Sequence, residues 1–381
     1  MRRRMLTLLA LTVSISGGAA LSTAFAGEES AVLSDFGAPT PTRRVTGSPG
    51  ASERARGVAW LLAAQRPDGG WSSGNFGTDG VGAASDVATT AWCTLALFRD
   101  AHGGASNREA IGRGVSLVVD RVMTAPSGPK LNTPTGTQIQ YKLGELVDTH
   151  LAALLLGEVA GKLDPATNRR VATALDIAAG KVQLAQRPDG SFDTNGWAPV
   201  LSTSIATQSL NRAEELGVEV KDDVLARADE YQASTVQGGT FDASEGAGVQ
   251  LYAVAAAARG NSQAAGRTGS AAPTAGAKAK AETATRAALG AVARDDGRLM
   301  AGYGTIGGEE MLSYSMLSDT LAEQGGTGWT DWEAKIAGYL SGVQNQDGSW
   351  VGSHCVTSAA FTTAGAVITL TAGDQASSRR M

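Results

Sequence analysis

A seven-residue phrase, Gln-x-x-Asp-Gly-Gly/Ser-Trp/Phe, occurs three times in this chain of 381 residues. The copies read QRPDGGW at Gln65–Trp71, QRPDGSF at Gln186–Phe192 and QNQDGSW at Gln344–Trp350. Self-similarity of this kind is typical of repeat architectures, in which one small unit recurs and neighbouring units bury each other's apolar faces. The phrase constrains the fold more than the chemistry, because chemistry must be argued from a site.

Each copy follows an amphipathic helical stretch. Before the last copy, Ile336, Tyr339, Leu340 and Val343 have the i, i+3, i+4, i+7 spacing of one helical face. The Asp-Gly pair predicts the end of that helix, because glycine accepts the left-handed conformation that a helix terminus needs. A loop and a second helix, rich in Ala, Thr, Ser and Leu, follow each copy. The repeating unit is therefore predicted to be a helical hairpin.

The spacing between the copies predicts three further units without the full motif. A period near 50 residues leaves room for one unit between Trp71 and Phe192 and for two between Phe192 and Trp350. Their turns are predicted at Ser127–Leu131, Gln237–Phe241 and Asp295–Met300. The first and last units carry the best-formed motifs, where an open solenoid would need polar caps. The sequence thus predicts an all-α, single-domain (α/α)6 toroid over residues 51–372.

The chain begins with a predicted export signal, residues 1–26. Three arginines precede the apolar run Leu6–Ile15 and the small-residue cleavage site Ala24-Phe25-Ala26. A Sec signal and a twin-arginine signal both fit this pattern, and either predicts a secreted or periplasmic protein. Residues 27–50 are predicted to form a lead-in, residues 261–281 a mobile low-complexity insertion and residues 373–381 a frayed tail.

Charge and hydropathy exclude two classes of partner. Loss of the signal removes three arginines and no acid, which moves the formal charge from −5 to −8. An acidic export product has no electrostatic basis for binding nucleic acid. No other segment is long and apolar enough to predict a membrane span. Of the two cysteines, Cys93 lies in an apolar stretch and is predicted to be core, so no disulfide framework is expected.

The repeated motif and six helical hairpins resemble the prenyltransferase and squalene-cyclase repeat, the terpenoid-cyclase-type (α/α)6 toroid. The resemblance covers about Ala51 to Ala372. It implies outer helices that end in the motif and inner helices that line a central cavity open at one mouth. Members of this fold include protein prenyltransferases, triterpene cyclases and extracellular binding proteins, so the resemblance is specific for the fold and poor for the activity.

The chain differs from triterpene cyclases at the residues that supply their catalytic acid. Those enzymes protonate a polyene with an Asp-x-Asp-Asp string, which is absent here, and they use two helical domains. The acid pairs Asp222-Asp223 and Asp295-Asp296 are interpreted as surface residues. Squalene or hopene cyclisation is therefore not favoured. The motif acids Asp68, Asp189 and Asp347 each precede a glycine at a helix end, and are predicted to be structural.

A zinc site is the second possibility that the resemblance raises. Protein prenyltransferases hold zinc with Asp-x-Cys and a later His, and this chain has no Asp-x-Cys. Instead, Asp148 and His150 open the second inner helix, and His354 and Cys355 precede the sixth. These are residue types that zinc binds. The alternative is that Asp148 caps its helix, His150 is a hydrogen-bonded wall residue and His354 is exposed in a loop.

Three further residues are candidates for the cavity wall: Asp86, Tyr252 and Tyr314. Asp86 is equally explained as the N-cap of the first inner helix, and the tyrosines as core. Two hypotheses for function follow. The first is an exported toroid that binds a small hydrophobic or isoprenoid-like ligand, with metal-assisted catalysis at Asp148, His150, His354 and Cys355. The second is a non-catalytic extracellular protein that binds a ligand or a protein partner and has lost the chemistry.

Overall fold

The computed structural model describes residues 48–76, 83–100, 105–192, 195–237, 240–241, 249–268, 272–294 and 307–380. Within these ranges the chain is helical apart from one short antiparallel ribbon, β1 (Val236–Gln237) with β2 (Thr240–Phe241). The helices are α1 (Ala51–Ala64), α2 (Val87–Arg99), α3 (Ala105–Met123), α4 (Gln138–Leu143), α5 (Val147–Val159), α6 (Pro165–Ala185), α7 (Pro199–Glu215), α8 (Asp222–Ser234), α9 (Gln250–Gly266), α10 (Ala275–Ala293), α11 (Glu310–Gln324), α12 (Gly326–Val343), α13 (Ala359–Leu370) and α14 (Ala372–Arg380).

Twelve of these helices form six hairpins, numbered here as units one to six. Six helices are almost wholly buried: α2, α5, α7, α9, α11 and α13. Each packs on the next, and α13 packs on α2, so they close an inner ring. Their partners α1, α3, α6, α8, α10 and α12 bury one face each, as amphipathic outer helices do. The predicted (α/α)6 toroid is confirmed.

The motif glutamines tie each outer helix to the outer helix of the next unit. Their side-chain amides donate to the glycine carbonyl of their own turn and to a backbone carbonyl of the following outer helix: Gln65 to Ala110, Gln186 to Val224 and Gln344 to Glu53. The third of these bonds joins unit six to unit one, 291 residues apart in sequence. An arginine of the neighbouring helix also donates to each glutamine: Arg113, Arg227 and Arg56. The motif therefore makes the contacts between units that close the ring.

The acid, glycine and aromatic of the motif are structural, as predicted. Asp189 and Asp347 each accept hydrogen bonds from the backbone and hydroxyl of the serine two residues on. Glycine is required before that serine, since a Cβ on Gly190 (φ 90°) would lie 2.1 Å from the Arg227 carbonyl oxygen. The aromatic is buried and its backbone N–H donates to an inner-helix threonine: Trp71 to Thr90, Phe192 to Thr203 and Trp350 to Thr363.

Two predicted irregular segments are mostly helical. The predicted mobile insertion, 261–281, is largely the end of α9 and the beginning of α10, because its alanines pack between these helices and α8. The predicted frayed tail is α14, which packs on α11. Gln375 in that helix donates to the Arg99 carbonyl at 3.0 Å, and Asp374 pairs with Arg54 at 2.7 Å. The predicted export signal, most of the lead-in and the turn at Asp295–Met300 lie outside the described residues.

The two ends of the inner ring differ. We call the end where the inner helices begin, and where α4 lies, the mouth. At the opposite end, buried ion pairs join the last turns of the inner helices, Arg99 with Asp319 at 3.0 Å and Arg259 with Glu323 at 2.7 Å. Cationic side chains are favourable at helix C-termini, and the two pairs seal this end.

Side chains of the described inner-helix residues occupy the axis between the two ends. They leave a cavity of about 10 Å³, lined by Trp92, Arg99, Leu154, Ile205, Gln208, Leu312, Ser315, Met316, Asp319 and Ile368. A space of that size holds about one water molecule. Among the described helices, none combines the length and the apolar character that a bilayer crossing requires.

Candidate functional site at the mouth of the ring

Two pairs of buried carboxyl groups lie at the mouth, where inner helices begin. The first pair is Asp86 and Asp148, both almost completely buried. Asp86 accepts from the Thr89 backbone N–H at 2.7 Å, as the N-cap of α2, and from the Ser73 N–H at 2.8 Å. The cap interpretation of Asp86 is thus the observed one, and the structure does not place it on an open cavity wall.

Asp148 joins three elements through its two oxygens. It accepts from the Ala88 N–H at 2.9 Å and the Thr133 hydroxyl at 3.0 Å through Oδ1, and from the Gln140 amide at 2.7 Å through Oδ2. It does not cap its own helix, whose N-cap is Leu146 without a side-chain bond. Burial, and then the charge of Asp86, raise the pKa of Asp148 to about 6. Every oxygen of this pair is engaged, which is the pattern of a structural group.

The second pair, Glu309 and Glu310, stands at the start of α11. Glu309 is fully buried and ionically paired: its Oε1 lies 3.0 Å from the Lys142 ammonium and accepts from the Tyr252 hydroxyl at 3.1 Å. Its Oε2 faces the Val356 N–H at 3.4 Å. Three units therefore supply partners to a single carboxyl group.

Glu310 has a different environment. Burial, and then the charge of Glu309, raise the pKa of Glu310 to about 8, so this carboxyl holds a proton at neutral pH. The Tyr314 hydroxyl donates to Oε2 at 3.4 Å. Oε1 is buried and has no hydrogen-bond partner among the described residues, and Nε2 of His354 lies 4.0 Å from it. An engaged anion beside a neutral acid is the arrangement that enzymes use to divide base and acid roles.

His354 and Cys355 border this second pair and are partly open to solvent. Glu309, His354 and Cys355 have potential ligand atoms within 4.8 Å of one another, and they are the single such group found among the described residues. Cys355 has a φ of 54°, unusual for a residue other than glycine. The Lys142 ammonium, 3.7 Å from Cys355 Sγ and 3.0 Å from Glu309, already supplies the positive charge that a metal would bring. The residues present thus fit an ammonium better than zinc.

Asp148 and His150 do not join that group. His150 lies on α5, with Nδ1 3.3 Å from the Ser202 hydroxyl and its ring edge-on to Phe192. It is fully buried, and burial lowers its pKa to about 3, so the imidazole is neutral. Half of the predicted metal set, His354 and Cys355, is therefore together, and the other half belongs to the wall between units two and three.

The predicted cavity residues Tyr252 and Tyr314 lie beside the second carboxyl pair. The Tyr252 hydroxyl donates to Glu309 and the Tyr314 hydroxyl to Glu310. Sequence reasoning missed Glu309, Glu310 and Lys142. A usable signal was present for the glutamates, since Glu309-Glu310 directly precede the apolar Met311-Leu312 at the start of an inner helix. Lys142 gave no signal, because it lies in the short helix α4, which Gly144–Leu146 separate from the inner helix α5.

Comparison with known proteins supports the fold alone. No protein-family profile and no curated protein matches the chain. Solved structures match the chain. One is a variant of the type II terpene cyclase MstE from Scytonema with its product merosterolic acid A, at a TM-score of 0.55 and 16% identity; the match covers 86% of this chain and 97% of that one. A second variant holds its substrate geranylgeranyl dihydroxybenzoate (TM-score 0.55, 15% identity, the same coverage). The apo enzyme gives a TM-score of 0.52 at 17% identity.

These likenesses establish a terpenoid-cyclase-like α/α toroid.

Proposed function

We propose that this protein is an exported toroid that binds an oxygenated, isoprenoid-like ligand at its mouth and uses Glu310 as a proton donor to the ligand's oxygen. One observation carries the proposal: a buried, protonated carboxyl with an unpartnered oxygen stands beside an ionised Glu309–Lys142 pair. Perturbed acids of this kind mark functional sites more often than structural ones when they are not fully hydrogen-bonded.

The ligand class follows from two arguments. The inner helices α11 and α13 bury apolar side chains close to the carboxyl pair, such as Met311, Leu312 and Phe361, and the similar toroids of MstE hold geranylgeranyl dihydroxybenzoate as substrate. A carboxyl with a raised pKa keeps its proton at neutral pH but donates it weakly. Its acceptor would therefore be a basic oxygen, such as that of an epoxide or an alcohol, rather than a carbon–carbon double bond.

Proton transfer can be written with the residues present. Glu310 gives its proton to the ligand's oxygen and becomes a carboxylate. The Tyr314 hydroxyl and the Lys142 ammonium, both of which favour the ionised form of Glu310, stabilise that product. His354, about one-third exposed, connects Glu310 with solvent and would return the proton. No step requires a metal; zinc at His354 and Cys355 stays a prediction, tested by elemental analysis of protein purified without chelator.

A second candidate is ligand binding without turnover. The cavity of about 10 Å³ that the described residues leave on the axis favours it, because a long chain could not fold in a space of that size. In that case Glu310 would serve as a hydrogen-bond donor to the ligand's polar end.

The test uses geranylgeraniol and its terminal epoxide as probes. Binding is followed by calorimetry and conversion by mass spectrometry for the wild type, Glu310→Gln and the exposed control Glu109→Gln. We expect epoxide opening in the wild type and the control, with a loss of about 100-fold or more in Glu310→Gln. Binding of both probes without conversion would favour the second candidate. Absence of binding would contradict both.

Export is tested separately. N-terminal sequencing of the protein recovered outside the cytoplasm should begin at Gly27, after the predicted cleavage site. A mature protein that retains Met1 inside the cytoplasm would contradict export without affecting the site.

A further inference from the structure

The segment between α3 and α5, residues 126–146 including α4, crosses the mouth; we call it the strap. It belongs to unit two and contacts every other unit. On the unit-one side, the Gln138 N–H donates to the Gly74 carbonyl at 3.0 Å and the Phe76 N–H to Gly136 at 3.3 Å. On the unit-three side, the Trp197 N–H donates to the Lys142 carbonyl at 2.8 Å. These bonds join the strap to the two units that neighbour unit two.

The remaining contacts lead to the carboxyl site. The Thr357 N–H of unit six donates to the Gln138 side chain at 2.8 Å. The Lys142 ammonium pairs with Glu309 of unit five at 3.0 Å and lies 5.8 Å from the centre of the Tyr252 ring of unit four. The strap therefore covers Glu309 and Glu310, and Lys142 is its one ionic contact with them among the described residues.

The two faces of α4 differ in a way that suits a cover. Ile139 and Leu143 are fully buried, whereas Tyr141 is 44% exposed. Outside the ring, Tyr141 stacks on Phe76 with ring centres 3.9 Å apart and on Trp197 at 6.1 Å. The buried apolar anchor consists of the Ile139 and Leu143 side chains; most other contacts of the strap are polar, and one of them, the Gln140 amide to Asp148 at 2.7 Å, is buried.

Glycines in positive-φ conformations bound α4 on both sides. Gly136 has a φ of 77° and Gly144 a φ of 93°. Hinges are a few element-terminal residues that absorb large changes in φ and ψ, and glycine does so without a steric penalty. A six-residue helix between two such glycines can leave the mouth without unfolding the inner ring.

We infer that the strap is a lid over the Glu309–Glu310 site, hinged at Gly136 and Gly144 and latched by the Lys142–Glu309 ion pair. This inference rests on the proposed function for what lies under the lid. An apolar ligand would gain access when the latch breaks, which also explains how a ring with a filled axis can admit one. Lys142 is thus a positioning residue, acting through the lid and through Glu309.

Hydrogen–deuterium exchange on the full mature chain tests the lid without any ligand. In the wild type, amides of 139–143 should exchange at least about tenfold faster than those of α5, which immediately follows. Lys142→Met should speed exchange of 139–143 by a further factor of about ten, with no change in α5. The matched control is Lys130→Met, on the same strap, whose ion pair with Glu145 is exposed; it should change exchange less than about twofold.

Lys142→Met leaves Glu309 without its cation. The second variant therefore combines Lys142→Gln with Glu309→Gln in one protein, and it should show the same faster exchange of 139–143. Exchange of 139–143 as slow as that of α5 in the wild type and in both variants would overturn the lid. Adding geranylgeraniol distinguishes the two proposals. Slower exchange of 139–143 supports both. Local opening that is unchanged by the probe upholds the lid and counts against the proposed ligand.

Discussion

The mouth of this toroid holds two buried carboxyl pairs that a sequence would treat alike. In Asp86–Asp148, every oxygen accepts a hydrogen bond from a neighbouring backbone or side chain. In Glu309–Glu310, one carboxyl group is paired with Lys142; burial raises the pKa of the other, and one of its oxygens has no hydrogen-bond partner among the described residues. Both pairs begin or adjoin inner helices, and burial raises a pKa in each.

The difference lies in what surrounds the oxygens. A carboxylate whose lone pairs are all used by fixed donors holds loops together and has nothing left to offer a ligand. A neutral carboxyl beside a compensated anion retains a proton and an acceptor site. The perturbed pKa alone therefore does not separate structure from function; the partner count of each oxygen does.

The largest expected effect comes from Asp148→Ala. The change leaves the Ala88 N–H, the Thr133 hydroxyl and the Gln140 amide without their buried acceptor. We expect a loss of about 4 kcal/mol in the free energy of unfolding, measured by urea denaturation at pH 7. The exposed Asp222→Ala should change it by less than about 0.5 kcal/mol. A similar small effect for Asp148→Ala would mean that the first pair is not structural.

Glu310→Gln should alter the pH dependence of stability. The wild-type carboxyl, with a folded pKa of about 8 against 4.5, keeps its proton where the unfolded chain has lost it. Its contribution to stability is present below pH 4.5 and disappears as the pH rises through 8. Between pH 5 and 7 the wild type should lose about 2 kcal/mol relative to Glu310→Gln. Parallel stability curves would show that Glu310 is ionised when folded.

Asp86→Asn should lower the pKa of Asp148. The charge of Asp86 is the second cause, after burial, of the raised pKa of Asp148. Its removal should bring that pKa from about 6 down by roughly one unit, observed by carbon NMR of labelled aspartate. Glu309→Gln is the control and should leave Asp148 unaffected. A shift in the control would mean that the two pairs titrate as one system.

The smallest expected effect is that of Tyr314→Phe. The tyrosine hydroxyl donates to Glu310 at 3.4 Å, a long bond that favours the ionised carboxyl. Without it the pKa of Glu310 should rise by less than about half a unit, while Asp148 stays unchanged. A decrease would place the hydroxyl on the protonated form instead.

The ring could be predicted from the sequence because the contacts that close it are made by the repeated motif. Gln344 repeats the pattern of Gln65, so the bond from unit six to unit one has the same chemistry as that between adjacent units. The pairs Thr89-Thr90 and Thr362-Thr363 lie at equivalent turns of the inner helices α2 and α13, and Thr90 and Thr363 accept the backbone N–H of Trp71 and Trp350.

The site was only partly predictable, since it depends on contacts between distant units. His354 and Cys355 were found because they are rare residues in a loop before an inner helix. His150 was grouped with them on equivalent position, yet its neighbours are Ser202 and Phe192. Lys142 escaped notice because nothing local shows that a lysine of unit two crosses the mouth to Glu309 of unit five.

The central claim is that Glu310 is the neutral, functional carboxyl of the second pair. Carbon NMR of protein labelled at the glutamate carboxyl, titrated from pH 4 to 10, tests it most directly. We predict one resonance with a midpoint near 8 that is absent from Glu310→Gln. If every glutamate titrates near its ordinary pKa, and the signal lost in Glu310→Gln is one of these, the account of the site is contradicted.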